Sequence, residues 1–435
     1  MASAPAHSPE AGGSPLSSKH QELLGVLNQD INDVISKFSE EGFSIWIVGG
    51  AVRDSVIGLP LNDIDLATNA TPSEVLKLIP SAIPTGMEFG TVTLPSNLDS
   101  GKIEITTLRT DGTYLDGRRP ESVRFGSSLM EDLQRRDFTI NSMAIDPVHR
   151  LFYDPNGGLD DLQKGVLSAV GDSIERLEED GLRIMRAYRF MCHPSGPFVP
   201  DLELSEALVE CAESLAPVSR ERIWVEFRKI LSFPKVFEVL KMMVVHGNME
   251  NVCPGLNEID DIDSCYFDGI NENSLMIGRF SLLLKQMNEE DAKTILNGLR
   301  VPNKVRDSVL IIRGRIGIMP NPESKGCLRR YRMALGNDLD AQISADRGLN
   351  KEVADNLRTA LNNLPPLRGG IEPIVGGDEI LTRLDIEPGP SLGEIKKWLF
   401  RIQVENDLAD SSSVWNTAES LGFKGEPIGE YRMWV

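Results

Sequence analysis

The chain has 435 residues, 41% of them hydrophobic and 25% charged, with a net charge of −20. That length suits about three domains of ~150 residues with ordinary apolar cores, and the acidity excludes a generally basic nucleic-acid coat without excluding a local basic groove. Five scattered cysteines (Cys192, Cys211, Cys253, Cys265 and Cys327) form no CxxC or Cys/His cluster, so zinc is not expected, a reducing compartment is, and the absence of a membrane-length apolar run or an Arg-rich leader points to the cytoplasm with no membrane contact.

Residues 1–19 are small and rich in Pro, Gly and Ser, which reads as a disordered tail. The Leu, Val and Ile spacing of QELLGVLNQDINDVISKFSEEG predicts a helix ending at Gly42. FSIWIVGG follows as an apolar strand stopped by Gly49-Gly50, AVRDSVIG as a short helix and NDIDLAT as a strand. TPSEVLKLI is a helix with Thr71 as N-cap and Pro72 in its first turn. GTVTLP and KIEITTLR read as strands, so residues 20–150 form an α+β domain. Beyond 150 strand signals fade. Helical spacing runs through 173–250, 275–316 and 340–362, LPPLRGGIEP is a break, and a last helical unit covers 377–408.

VGGAVRD and DID carry the first chemical signal. Side chains two apart on a strand share a face, so Asp63 and Asp65 project together. Two convergent carboxylates with an open side suit Mg²⁺, which shares its oxygen ligands with substrate phosphates. On KIEITTLR, Glu104 lies on the face opposite Ile103 and Ile105 and offers a third carboxylate. Such a set fits metal-assisted nucleotidyl transfer. Gly49 and Gly50 let backbone N–H groups approach a triphosphate, and Arg53 can grip it. Taken singly, a GG pair is also an ordinary turn and a DxD an ordinary solvated strand end.

The second signal is RRDFTINSMAID. Arg136 can bind phosphate, while Asp137 and Asn141, four apart on one helical face, can meet a ribose hydroxyl. The third is EEDGLRIMRAYRF, where Asp180 and Arg183 stand at i and i+3 of a helix. Asp accepts and Arg donates. Cytosine and adenine each present an amino donor beside a ring-nitrogen acceptor, so this pair suits both. Uracil and guanine present the reverse polarity and leave groups unpaired. A plain surface salt bridge is the alternative.

In order and spacing, VGGAVRD…DID, EITTLR, RRDFTINSMAID, YDPNGGLDDL, EEDGLRIMRAYRF and SRERIWVEFRKIL resemble the class II tRNA nucleotidyltransferases, the CCA-adding enzymes, over residues 44–231. The ending GGDEILTRLDIEPGPSLGEIKKWLFRIQVE is similar to the family's tail more loosely. The resemblance implies a polymerase-β-like head followed by an all-helical neck (151–234), body (235–320) and tail (321–435). It implies addition of CCA to tRNA from CTP and ATP with Mg²⁺ and no template. It places Asp63, Asp65 and Glu104 at the catalytic centre, with Asp63 and Asp65 on the metal. Gly49, Gly50, Arg53, Arg136, Asp137, Asn141, Glu179, Asp180, Arg183 and Arg186 bind the nucleotide. Asp154, Gly158 and Asp161 match the motif connecting head and neck. Arg109, Asp111, Tyr114, Asp116 and Arg118 belong to the flexible loop linked to the switch from C to A. One departure is Phe89, where many members carry His. In the body and tail, Arg300, Lys304, Arg306, Arg313 and Arg315, then Lys325, Arg329, Arg330 and Arg332, suggest a path for the tRNA acceptor arm. Competing readings are an A-adding enzyme, a bacterial-type poly(A) polymerase, and a non-catalytic RNA-binding protein on the same fold.

Overall fold

The computed structural model describes residues 8–60, 63–87, 90–94, 103–111, 123–125, 128–429 and 432–433. They form two compact units, one reaching to Phe233 with Glu238–Gly255, the other comprising Pro234–Phe237 and the chain from Leu256 onward.

The first unit is built on a mixed sheet. Its strands are β1 (Ser14–Pro15), β2 (Ile45–Val48), β3 (Ile64–Thr68), β4 (Ile83–Gly86), β5 (Thr91–Leu94), β6 (Ile103–Thr107), β9 (Ala144–Asp146) and β10 (Leu151–Tyr153), in the order β1-β10-β9-β2-β3-β6-β5-β4. A separate ribbon pairs β7 (Arg109–Asp111) with β8 (Val123–Phe125). β2 is a run of apolar residues, Ile45-Trp46-Ile47-Val48, and all are buried. That is the pattern of a central strand covered on both faces. β3 lies antiparallel to β2 and parallel to β6.

The helices of the head are α1 (Ser18–Val26), α2 (Gln29–Glu40), α3 (Gly50–Val56), α4 (Pro72–Leu78) and α5 (Leu129–Gln134). The single helix expected to end at Gly42 is two. Asn28 interrupts it, because its side chain accepts the Ile31 N–H at 3.0 Å and caps α2 instead of continuing α1. The expected cap of α4 is present as a reciprocal box between Thr71 and Glu74. The tail expected to be disordered over 1–19 has structure where it is described: β1 pairs with β10 and α1 starts at Ser18. Composition hides this because backbone groups and one ring make the contacts, not a run of apolar side chains.

The rest of this unit is helical: α6 (Gly158–Lys164), α7 (Ser173–Glu179), α8 (Leu182–Met191), α9 (Leu202–Glu210), α10 (Arg220–Ser232), α11 (Phe237–Val245) and α12 (Asn248–Val252). A small parallel pair, β11 (Val166–Leu167) with β12 (Val199–Pro200), interrupts the all-helical expectation. Two-residue strands lack the length to show a period.

The second unit is helical throughout its named elements, from α13 (Glu272–Leu283), α14 (Glu289–Gly298), α15 (Asn303–Arg315), α16 (Lys325–Leu335), α17 (Leu339–Leu349) and α18 (Lys351–Asn362) to α19 (Gly377–Leu384), α20 (Pro390–Asn406) and α21 (Ser411–Ser420). Gly278 lets α13 lie close on α17, since a Cβ there would stand 2.7 Å from the Ala341 carbonyl. Near the C-terminus Ile380, Trp398, Trp415 and Phe423 share a core. Several of the basic residues expected on an RNA path do structural work here. Arg313 donates to the Leu284 carbonyl at 2.6 Å, and Arg332 to the carbonyls of Leu361 and Leu364. Arg329 pairs with Asp407 at 3.3 Å and Arg330 with Glu405 at 3.5 Å. Helix-end carbonyls and carboxylates hold them, as the helix dipole favours. Among the described residues, no helix is long and apolar enough to cross a membrane.

Candidate active site

Two of the three expected carboxylates stand side by side where β3 runs along β6. Asp65 and Glu104 are direct partners in the parallel register, so their side chains leave the sheet on one face about 5 Å apart at the backbone. Asp63 lies two residues before Asp65 and is exposed. Burial pushes the Asp65 carboxyl above its ordinary range. Arg136 and Arg186 oppose that rise, and Glu104 and Asp63 add to it. Like charges gathered this way favour a bound cation. Among the described residues no group of three or more acidic, His or Cys side chains is gathered to hold a metal ion, so the expected three-carboxylate set is not assembled here. An open site is what Mg²⁺ uses when a substrate triphosphate completes its shell.

The glycine turn sits against this cluster. Val48 pairs with Asp65 at the end of β2. Gly49 then takes φ 67° and ψ −131°, outside the range of side-chain-bearing residues. A Cβ at Gly49 would stand 3.2 Å from Arg136 Nη1 and 3.5 Å from Asp65 Oδ2. The missing side chain therefore lets Arg136 and Asp65 approach the backbone closely at the start of α3.

Arg53, expected as a free phosphate grip, is buried and largely engaged. Its Nη1 donates to Asn141 Oδ1 at 2.7 Å and its Nε to Asp54 at 2.8 Å. Arg136 is held by Asp132 Oδ2 at 3.1 Å and by the Asn141 carbonyl at 3.3 Å. Asp132 is buried and also pairs with Arg135. It went unnoticed in the sequence, although its spacing to both arginines (i,i+3 and i,i+4) is that of a helical pair.

Asp137 and Asn141 do meet, but not on one helical face. Phe138 is extended, and Thr139–Asn141 is a single 3₁₀ turn. Asn141 Nδ2 donates to Asp137 Oδ1 at 3.1 Å, and Arg186 Nε to Asp137 Oδ2 at 2.7 Å. Burial alone would raise the Asp137 carboxyl. The Arg186 charge and the hydrogen bonds from Asn141, Arg186 and the Phe138 N–H outweigh it, so it lies far below the carboxylate range. Asp137 is thus the hub linking Arg186 to Asn141. The connecting motif locks this turn. Asp154 accepts the N–H groups of Gly158 and Leu159 at 2.7 and 2.9 Å, and Asp161 accepts the Thr139 hydroxyl at 2.5 Å.

The base-reading stretch is not one helix. α7 ends at Glu179 and α8 begins at Leu182. The break falls at Asp180, whose backbone is extended (φ −146°, ψ 100°); only a glycine fits next, since a Cβ at Gly181 would come within 1.8 Å of the Ser214 carbonyl oxygen. Asp180 and Arg183 do not form the plain surface salt bridge. Asp180 pairs with Arg222 at 2.7 Å and accepts the Leu182 N–H at 3.1 Å. Arg183 donates to Glu179 at 2.6 Å and to the carbonyls of Arg176 and Arg135 at 2.7 and 3.0 Å. Arg176 braces Glu179 at 2.8 Å. Arg222 lies 42 residues from Asp180, so no local spacing could have found it.

Beneath these groups Phe190 carries Arg189 and Arg53 over its ring at 4.3 and 5.2 Å, and Arg189 pairs with buried Glu226 at 2.6 Å. His193 nearby is pushed down to about 3 by burial and then by the charges of Arg53, Arg189 and Lys229. Of the flexible loop, Tyr114, Asp116 and Arg118 lie outside the described residues, as does Phe89. Arg109 and Asp111 bound β7, and the Arg109 carbonyl accepts from Arg135 Nε at 3.1 Å.

Fold and site together define a nucleotidyltransferase. Residues 45–168 match the family model of the poly A polymerase head domain, and residues 198–260 that of the probable RNA and SrmB-binding site of polymerase A. A CCA-adding enzyme of Geobacillus thermodenitrificans is 32% identical over 392 residues, covering 89% of this chain and 93% of the relative. One of Geobacillus kaustophilus is 36% identical over 304 residues, 70% of this chain and 72% of its own. The crystal structure of the Bacillus stearothermophilus CCA-adding enzyme in complex with CTP aligns with a TM-score of 0.71 at 26% identity, covering 94% of this chain and 99% of that one. The chain belongs to the CCA-adding enzyme family.

Proposed function

We propose that this chain completes the 3′ end of tRNA, adding C, C and A from CTP and ATP without a template. The 3′-hydroxyl oxygen attacks the α-phosphorus, the bond to the bridging oxygen breaks, and pyrophosphate leaves. The carrying observation is the Asp65–Glu104 register pair behind the Gly49 turn. Asp63 and Asp65 would hold Mg²⁺, which when bound activates the attacking hydroxyl and neutralises the leaving charge. Glu104 completes the acidic set. Gly49, Gly50, Arg53 and Arg136 take the triphosphate, and Asn141, set by Asp137 and Arg186, meets the ribose. Asp180 and Arg183 read the base, with Glu179 fixing Arg183. In this reading residues 20–150 are the head and 151–234 the neck, and the body (235–320) and tail (321–435) carry the acceptor arm. A cytoplasmic site of action fits five cysteines without a disulfide.

The test is extension of tRNA transcripts ending before CCA, after C and after CC, with Mg²⁺ and CTP, ATP or both. Two C followed by one A supports the reading. A single A on the CC-ending transcript alone makes it an A-adding enzyme, and a long A ladder a poly(A) polymerase. No extension, with binding retained, makes it a non-catalytic RNA-binding protein.

A further inference from the structure

The segment that precedes α2 touches α3, which carries Arg53, and α5, which leads into Arg136. At its start the Glu10 carbonyl accepts the Tyr153 hydroxyl at 3.1 Å, and the Glu10 carboxylate lies 3.4 Å from the Leu129 N–H at the head of α5. It then crosses the Tyr153 ring so closely that a Cβ at Gly13 would stand 2.9 Å from the ring's Cζ. Ser14 and Pro15 pair with Phe152 and Leu151 on β10. Ser17 caps α1, which buries Leu23 and His20, with the His20 ring tilted against Phe152 at 4.3 Å. Finally Lys19 Nζ donates to the Val56 carbonyl at 2.5 Å.

Val56 is the last residue of α3, and its carbonyl is one of those a helix leaves without an internal partner. A cation there satisfies the carbonyl and complements the negative helix end. At the other end of this short helix stand Gly49 and Gly50, and Arg53 projects from its middle. A shift of α3 along its axis would move all three against Asp65 and Arg136. The other contact, at the N-terminus of α5, bears on the helix that leads into Arg135, Arg136 and Asp137.

We infer that residues 8–26 are a strap that sets α3 against the carboxylate cluster, with Lys19 as its positioning residue. The strap touches no reacting group; it acts through the two helices. This inference rests on the nucleotidyl-transfer reading of the same site. The triphosphate is common to CTP and ATP, so the strap affects both nucleotides alike and leaves base choice and tRNA contact unchanged.

The experiment is steady-state kinetics on the full chain with the variants Lys19→Met, Lys19→Arg and Gly13→Val. For Lys19→Met the KM for CTP and for ATP is expected to rise about tenfold, as a misplacement of part of an ångström in a binding site can produce. The KM for tRNA stays within twofold. Partial unfolding would instead lower kcat and leave both KM values unchanged. Lys19→Arg, which keeps a cation at the Val56 carbonyl, restores most of the loss. Gly13→Val lifts the strap from the Tyr153 ring and shows the same KM pattern by an independent route. If the wild type adds nucleotides but both Lys19→Met and Gly13→Val keep its KM values, the inference is overturned, even if their Tm falls. A wild type that adds nothing refutes the function itself.

Discussion

Replacing Gly158 by Ala tests how the connecting motif holds the nucleotide site. The glycine lies at the first position of α6, and its Cβ would stand 2.0 Å from the Thr139 carbonyl oxygen and 2.7 Å from its carbon. Both neighbours are backbone, so no side chain can swing away. Reaching even a 3.0 Å contact requires the two backbones to part by at least 1.0 Å (3.0 − 2.0). The Thr139–Asn141 turn cannot move alone, because Asn141 holds Arg53 at 2.7 Å and Asp137 at 3.1 Å. Overpacking of this kind costs about 1–3 kcal/mol of stability. A displacement near 1 Å costs up to about 100-fold in rate. We expect kcat/KM for CTP to fall about 30–100-fold with a loss of about 2 kcal/mol in urea unfolding. Gly157→Ala is the matched control. Its Cβ would meet nothing, but φ is +72°, so it costs about 1 kcal/mol of backbone strain and little activity. If Gly158→Ala kept kcat/KM within twofold of wild type, the turn would not be what positions the site.

Other substitutions separate the roles assigned above. Asp63→Ala should abolish nucleotide addition while leaving tRNA affinity nearly unchanged in a filter-binding assay; unchanged addition would remove Asp63 from the metal site. Arg183→Ala should relax the choice among CTP, ATP, UTP and GTP in single-nucleotide incorporation, and a variant that stayed strict for C and A would refute base reading by Arg183. Arg222→Gln should weaken the same discrimination less, because the Leu182 N–H still orients Asp180. Acid should destabilise the fold through His193, whose folded pKa is lowered from 6.5 to about 3. The unfolded chain takes up the proton first, so this contribution is present above 6.5 and is lost as pH falls towards 3. The fall in unfolding free energy from pH 7.5 to 5, measured in urea, should be smaller in His193→Asn than in wild type by about 2 kcal/mol.

What could be read from the chain follows from the range of each interaction. The Asp65/Glu104 pairing and the Gly49 turn depend on strand period and backbone sterics, and they stand where the spacing puts them, whereas Asp63 lies just before β3, where strand alternation does not fix its side chain. The Asp137/Asn141 pair also meets as expected, though through a 3₁₀ turn, since short turns and helices bring residues four apart within similar reach. The helix across Asp180 misled because its 3.6 period continues on both sides of the break. Asp180 is extended at the break, and its ion-pair partner Arg222 lies 42 residues away. The arginines of α16 make ion pairs and helix-end contacts that their spacing does not reveal. Clustered positive charge looks the same in sequence whether it faces phosphate or the carbonyl ends of other helices.

The same long-range partners bear on the base-reading role proposed for Asp180 and Arg183. In this structure neither Asp180 nor Arg183 is idle, which would be a difficulty if their hydrogen-bonding capacity were exhausted. Among the described residues it is not. Asp180 Oδ1 takes the Leu182 N–H and Arg222 Nη1, and Oδ2 takes Arg222 Nη2. A carboxylate has about four acceptor sites, so Oδ2 keeps one. Arg183 Nη1 donates to Arg176 and Glu179, and Nη2 to Arg135. A guanidinium has five N–H donors, so one Nη2 proton and the Nε proton remain. One acceptor beside at least one donor is the set that the amino group and ring nitrogen of cytosine or adenine require. Uracil would turn a carbonyl toward Asp180 and an N–H toward Arg183, leaving both residual sites without partners at a cost of about 1–3 kcal/mol each. If the pair reads the base as proposed, the contacts that hold it limit what it can offer to a wrong base.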